Sequence, residues 1–561
     1  MRPVAFLLCC CFFVTVQAQT SYYVSPDGSN AGDGSMASPW LTVQFGLEHI
    51  VPGDTLNLRE GIYTEKIAIP FSGITLRSMP GETAVIDAGI MAPQDAAIEI
   101  YHISDITIEG LEIRNNVRNN AQGILIEGYG DHFTIRNCVI HDIHFSADPD
   151  DNATPSKNAQ GIIVYGTHPS IPITNLLITD NEVYNCRLGY SEGIAVNGNV
   201  DGFEVSHNYV HDLTNIGIDI IGHEGTCSTD SLDQARNGKV LRNTVHDCLS
   251  AYATSGGLYA DGPRDVLFEH NISYRNGYGI EVGCENAGTV ADNITIRNNL
   301  FYNNEVAALA MGGYNYPSSG KVTHAVFRNN STLKNDFLEE GYGEIYLSYC
   351  EDCVLENNIF YNSNQQIMLY AELEQPGIIF DHNLFYHDGA SSSQYFEWNG
   401  NVYAGLAEFQ SGSGTNTHSL FADPLYLSSD TAAANLHTEG SAAYNKGNPE
   451  TITDVLETDL DDQPRVLNDT IDCGAYEYYS EPVGIADLQS SILIYPNPAH
   501  QFIHLEAHSY ISARMYDESG KIIGFWQPVP QQIPTDKLLP GYYLLVLDNG
   551  LQWHTFPVVV E

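Results

Sequence analysis

The sequence predicts an all-β chain, a right-handed parallel β-helix solenoid followed by a small β-sandwich, and three observations carry that prediction. First, one short segment recurs: "LLITDNEVYNC" (176–186), "FEVSHNYVHDL" (203–213), "ITIRNNLFYNN" (294–304), "CVLENNIFYNS" (353–363) and "IIFDHNLFYHD" (378–388). An asparagine returns at Asn181, Asn208, Asn243, Asn271, Asn299, Asn330, Asn358 and Asn383, at intervals of 25 to 35 residues, and Leu111 and Cys138 hold its place in two earlier copies. A period of this length is the mark of a solenoid. Second, apolar residues alternate at period two in short runs separated by turn residues, which excludes helical repeats. Leucine-rich repeats are excluded by the absence of their leucine spacing. Third, a second element, "G-I-x-V-x-G", repeats beside the first: "GILIEG" (123–128), "GIIVYG" (161–166), "GIAVNG" (193–198), "GIDIIG" (217–222), "GLYADG" (257–262) and "GIEVGC" (279–284).

Taken in order, residues 1–18 read as a secretory signal: Arg2, the apolar run "VAFLLCCCFFVTV" and a small-residue site at Val16-Gln17-Ala18. No later run is long and apolar enough to span a bilayer as a helix. Residues 19–67 form an N-terminal cap and first coils, with "LTVQFGLEHI" as an amphipathic helix over the open end of the solenoid. The solenoid proper is assigned to 68–390. In it the asparagines should stack as an amide ladder. The residues three places on (Tyr184, His211, His246, Tyr274, Tyr302, Tyr361, Tyr386) should stack as an aromatic column. Residues 391–480 read as a module that closes the C-terminal end, and 481–561 as the sandwich, with turn signals at Glu518-Ser519-Gly520 and Asn549-Gly550. A monomer is expected.

The formal net charge of −47 disfavours nucleic acid and admits neutral ligands or divalent cations. Outside the signal the eight cysteines are Cys138, Cys186, Cys227, Cys248, Cys284, Cys350, Cys353 and Cys473. They are too sparse for a disulfide scaffold, and mostly buried thiols are expected. Cys350-x-x-Cys353 has no partner pair for zinc.

In each "G-I-x-V-x-G" element, positions two and four face inward and positions three and five outward. The third-position column reads Leu125, Ile163, Ala195, Asp219, Tyr259, Glu281, Ala310, and the fifth Glu127, Tyr165, Asn197, Ile221, Asp261, Gly283. Asp219, Tyr259 and Glu281 should therefore stack, with Asp261 beside them, roughly 8 Å from Glu281 between Cα atoms. Carboxylates so placed suit glycoside hydrolysis, one as proton donor and one as nucleophile or base. The catalytic candidates are Asp261, Glu281, Asp219 and Tyr259. The substrate-binding candidates are Tyr165, Glu285, His223, Tyr278 and Tyr314, where the tyrosines, with Tyr316, offer ring faces to sugars. Two long inserts, 144–159 and 223–238, should wall the groove. Calcium is a rival use of the carboxylates, and the loop "SADPDDN" (146–152) is a separate calcium candidate. A lyase or epimerase would instead draw on Arg264, Lys239, Tyr259 or His223, and a non-catalytic glycan binder or adhesin needs neither set.

Three resemblances add to this reading. "YYVSPDGSN…GIYTEKI" (22–67), above all Pro52-Gly53-Asp54-Thr55 and Gly61-Ile62-Tyr63, resembles the opening of secreted β-helix proteins such as polysaccharide lyases of the chondroitinase B type. That resemblance implies the architecture. Asp261, an N-x-x-Y turn and Ile280-Glu281-Val282 resemble β-helix glycosidases of the β-xylosidase type, which implies Asp261 as nucleophile and Glu281 as acid/base. Tyr495-Pro496-Asn497-Pro498 and Gly541-Tyr542-Tyr543 resemble the sorting domain of the type IX secretion system. This implies partnership with that machinery and a secreted or outer-membrane-attached place in a Gram-negative bacterium, although the chain ends "VVVE" where a basic residue is usual.

Overall fold

The computed structural model describes residues 20–478 and 494–560, apart from 90–95, 390–392, 440–441, 452, 454–456, 468, 496, 506–509, 518–520 and 549–552. The signal, Pro496 and the two sandwich turn signals lie outside the described residues.

Residues up to Tyr478 form one compact unit, and the residues from Tyr479 onward form a second. The first is the solenoid. One face is a sheet of 15 strands, running from Ser21–Val24 to Ile379–Asp381. The other two faces share a sheet of 24 strands. Neighbouring coils pair in parallel throughout, as in Gly256–Asp261 on Tyr278–Gly283. Inward Ile, Val, Leu and Phe fill the interior from Val24 to Phe409.

The asparagine ladder runs as expected. Each Nδ2 from Asn181 to Asn358 donates to the Oδ1 of the next asparagine at 3.0–3.1 Å. The same Oδ1 accepts the backbone N–H of the previous asparagine, so every amide is saturated inside the turn. A second, shorter ladder links Asn276, Asn304 and Asn335 and ends on Glu344. The aromatic column stacks from His141 through Tyr184, His211, His246 and Tyr274 to Tyr302, at 4.7–5.3 Å between ring centroids. Leu333 then interrupts it, and Tyr361 meets Tyr386 edge-on instead.

The capping helix is Val43–His49, with Val43, Gly46 and Leu47 buried. Its first N–H groups are satisfied by a distant side chain: Val43 and Gln44 donate to the two oxygens of Glu65 at 2.8 and 3.0 Å. At the other end the helix Leu406–Ser413 packs Phe409 against Phe380, Phe396 and Trp398. Residues 457–467 and 469–478 run back along the solenoid. Glu457 binds Arg297 and Arg328 at 2.6–2.8 Å. Buried Arg465 donates to Glu477 and to Asn298. The eight cysteines among the described residues are free and buried.

The second unit has two antiparallel sheets. One contains Phe502–Leu505; the other orders Ile522–Trp526, Ser512–Tyr516, Gly541–Asp548 and Trp553–Val560. They enclose Ile503, Met515, Ile533, Leu545, Leu547 and Val558, consistent with a β-sandwich.

Candidate active site

The third-position column forms in register. Ala195 pairs with Asp219, Asp219 with Tyr259, Tyr259 with Glu281, and Glu281 with Ala310. The fifth-position column follows it, with Asn197 on Ile221, Ile221 on Asp261 and Asp261 on Gly283. The recurring first glycine makes this register possible. A Cβ at Gly123, Gly161, Gly193 or Gly217 would stand 2.4–2.8 Å from the carbonyl oxygen of the glycine on the next coil. The chain also changes face there: Gln122 lines the outer cavity although Ile124, two residues on, is core.

Over these columns lies a cavity of about 600 Å³. Its floor is apolar, from Leu125, Ile221 and Tyr165, and its walls carry Glu127, Glu192, Asp219, Glu224, Asp261 and Glu285. Both inserts contribute to it, through Asn158 and through Glu224 and Thr226. The second insert is held by Asp233, whose carboxylate accepts the N–H groups of Gly225 and Cys227 at 2.6 and 2.7 Å. No Lys, Arg or His is among the described residues that line the cavity.

The acids are therefore hard to ionise. Burial, followed by the charge of Asp261, pushes Asp219 well above the usual carboxylate range. Burial also raises Asp261, reinforced by Glu285, Glu224 and Glu281, while a backbone hydrogen bond from Glu285 pulls it back. Glu192 and Glu281 are each pushed up to about 8, chiefly by burial. Asp219 and Asp261 are only 2 % and 6 % exposed, and an Oδ1 of each has no hydrogen-bond partner. The side-chain carbonyl oxygens of Gln122, Gln160 and Asn197 are in the same state around the cavity. Together they put five oxygen atoms without a hydrogen-bond partner around one cavity.

Of the expected site residues, Asp219, Tyr259, Asp261, Tyr165 and Glu285 line this cavity, whereas Glu281, Tyr278, His223 and Tyr314 do not. The Tyr259 ring leans across the coil, so that a Cβ at Gly283 would meet its hydroxyl at 3.2 Å. It thereby crosses the diagonal between Asp261 and Glu281. Tyr278 lines a smaller cavity. His223 lies behind the wall, its N–H on the Asp233 carbonyl and its own carbonyl accepting from Asn286. Tyr314 is 67 % exposed, and Tyr316 stacks on Tyr349 at 3.9 Å. Lys239 and Arg264 belong to strands of the 15-stranded sheet and stand on another face of the solenoid. The sequence reading missed Gln122, Gln160, Glu192, Ser191 and Glu224.

Two groups of side chains have the spacing to hold a metal ion: Glu224, Asp261 and Glu285 in the cavity, and Asp381, His382 and His418 near the C-terminal end. The loop 146–152 is a poor calcium candidate. Arg187 donates to the carbonyls of Ser146, Asp148 and Asp151, and Lys157 pairs with the Asp151 carboxylate, so protein cations already occupy these oxygens of the loop.

Residues 22–278 match the family described as "Pel9A-like, right handed beta helix region", 231–409 match "Right handed beta helix region", and 493–561 match "Secretion system C-terminal sorting domain". The uncharacterized protein YwoF of Bacillus subtilis is 32% identical over 425 residues, covering 72% of this chain and 88% of YwoF. The pectate lyase PEL9 of Emericella nidulans is 35% identical over 99 residues, 15% of this chain and 24% of that enzyme. Among solved structures, pectate lyase Pel9A covers 83% of this chain and 98% of its own at 15% identity, with a TM-score of 0.42. The chain thus belongs to the family of YwoF, and it is itself a secreted right-handed parallel β-helix protein that ends in a type IX secretion sorting domain.

Proposed function

We propose that the protein is a glycoside hydrolase of neutral or amino-sugar glycans, with Asp219 and Asp261 as its carboxylate pair. One observation carries the reading: two almost fully buried carboxylates, each with an unpartnered oxygen, meet over a cavity that no basic side chain among the described residues lines. They stand one coil and two residues apart in the register, roughly 8 Å between Cα atoms. Unpaired acceptors in such a site call for donors from the ligand, which sugar hydroxyls or an ammonium supply. A uronate carboxylate would find no Lys, Arg or His to pair with among the described residues of the lining.

The environments divide the roles. Asp261 keeps the Glu285 backbone donor, which favours its charged form and suits a nucleophile. Asp219 is raised by burial and by Asp261 itself, which suits a proton donor. Asp219 protonates the glycosidic oxygen as the bond to the anomeric carbon breaks, and Asp261 attacks that carbon. Water then releases the sugar from the ester while Asp219 takes the proton back. Glu281, beyond Tyr259, is assigned no direct part in either step.

A second reading has its own observation. The oxygens of Glu224, Asp261 and Glu285 come within 4.8 Å of one another, a hard all-oxygen set that suits calcium. A cation there would admit a uronate and favour a lyase, as does the short match to a pectate lyase. Against it, the lining offers no ready base: Tyr259 is pushed far up by burial and Asp261. A polysaccharide panel run with calcium and with chelator separates the readings. New reducing ends without an ultraviolet-absorbing unsaturated product are expected. A calcium-dependent unsaturated product makes it a lyase, and binding without turnover makes it a glycan-binding surface protein.

A further inference from the structure

The third-position column does not stop at Glu281. It continues through Ala310 to Tyr346 and Tyr370, each in register with the last. Tyr346 packs against Tyr342 at 4.5 Å and against Tyr370 at 5.9 Å between ring centroids. Tyr278, Ala310, Tyr342 and Tyr346 belong to one cluster on the outside of the coils, and the rings of Tyr342, Tyr346 and Tyr370 remain partly exposed. Beside them a cavity of about 230 Å³ opens between residues 249–255 and 338–342, with Tyr278 and Tyr342 as aromatic wall and Glu305 and Glu340 as acceptors. Exposed Leu338 lies on its edge. An outer sheet face normally carries short polar side chains, so a run of part-exposed rings beside acids is a binding composition. It has the amphipathic form that sugars use: a ring face for the C–H face of a pyranose and carboxylates for its hydroxyls.

Position along the axis identifies the occupant. In the column Glu281 stands one coil beyond Asp261 and two coils before Tyr346. Tyr346 is three coils beyond Asp261, roughly 14 Å at about 4.8 Å per coil. One coil step is close to the advance of one sugar along an extended chain. We infer that Tyr278, Tyr342, Tyr346 and Tyr370, with Glu305 and Glu340, form a distal subsite for the continuation of the glycan held in the acidic cavity. The polymer then lies parallel to the solenoid axis, and a unit about three sugars from the cut stacks on Tyr346. This rests on the hydrolase reading for the position of the cut, but not for the binding itself.

The test uses the full chain and a length series, from disaccharide to hexasaccharide, of the best glycan in the panel. Affinity is measured on Asp261→Asn, and turnover on the otherwise unaltered chain. Affinity should rise at least about tenfold once the chain is long enough to reach Tyr346, and KM should fall in parallel. Tyr346→Ala should remove that gain while leaving the disaccharide unchanged, and Tyr346→Phe, which keeps the ring, should retain it. Equal affinity for short and long chains, or a full gain in Tyr346→Ala, overturns the subsite. Length-dependent binding without hydrolysis supports the subsite and overturns the hydrolase reading. Binding of no glycan overturns both.

Discussion

Asp261→Asn is expected to lower kcat/KM on the best glycan at least about a thousandfold, the loss that follows when a covalent step has no nucleophile. Asparagine keeps the shape of the side chain and removes a charge that burial and neighbouring acids already oppose, so the fold is retained. Asp219→Asn should cost about 10²–10⁴-fold on natural glycans, the usual range for a lost general acid. It should cost much less on an aryl glycoside, whose leaving group needs no proton. Glu281→Gln should cost less than about tenfold on both, because Glu281 does not line the cavity. Steady-state kinetics on the three variants with both substrate types checks the assignment. A Glu281→Gln loss as deep as that of Asp261→Asn, on both substrates, would return the pairing to Asp261 and Glu281.

The second large effect is on stability. Glu192 and Glu281 hold their protons up to about pH 8 in the folded chain, against about 4.5 unfolded. A carboxyl whose folded pKa is raised contributes most below its unfolded value, and that contribution is lost as pH rises through the folded value. Stability should therefore fall between about pH 4.5 and pH 8, by up to roughly 5 kcal/mol for each such group and less where neighbours share a proton. This is opposite in sign to the usual salt-bridged carboxylate, of which this chain also has examples. Against the effect of burial, the Gly89 N–H, Arg114 and Asn115 hold Asp87 below its ordinary value. Glu192→Gln should raise the thermal midpoint at pH 8 and leave it nearly unchanged at pH 5. Scanning calorimetry at the two pH values checks this, and a midpoint that rises with pH across the window would contradict the burial of these acids as uncompensated groups.

The coil register was readable because it has a period. The asparagines, the stacked rings and the "G-I-x-V-x-G" element each occupy one place per coil, so alignment alone puts Asp219, Tyr259 and Glu281 in one column. The cavity was only partly readable. Strict alternation places Gln122, Gln160 and Glu192 inside, because each is two residues before an inward Ile. The strand breaks its alternation at the intervening glycine, which the next coil's carbonyl approaches too closely for a Cβ, and these side chains emerge on the outside. The glycine recurring directly before the first inward residue was the available signal. Glu224 was hidden for a different reason: it sits on an insert whose course depends on Asp233, and no repeat predicts that. The lean of Tyr259 across Gly283, which sets Glu281 apart from the cavity, depends on a ring orientation that register does not encode.

The most direct test of the central claim is azide rescue of Asp261→Ala on an aryl glycoside. If Asp261 attacks the anomeric carbon, removing it leaves room for azide to do so. Turnover should then recover with azide concentration and yield a glycosyl azide, while Glu281→Ala shows no such dependence. Absence of both adduct and recovery, or an unsaturated product from the unaltered chain, would contradict a hydrolytic site built on Asp219 and Asp261.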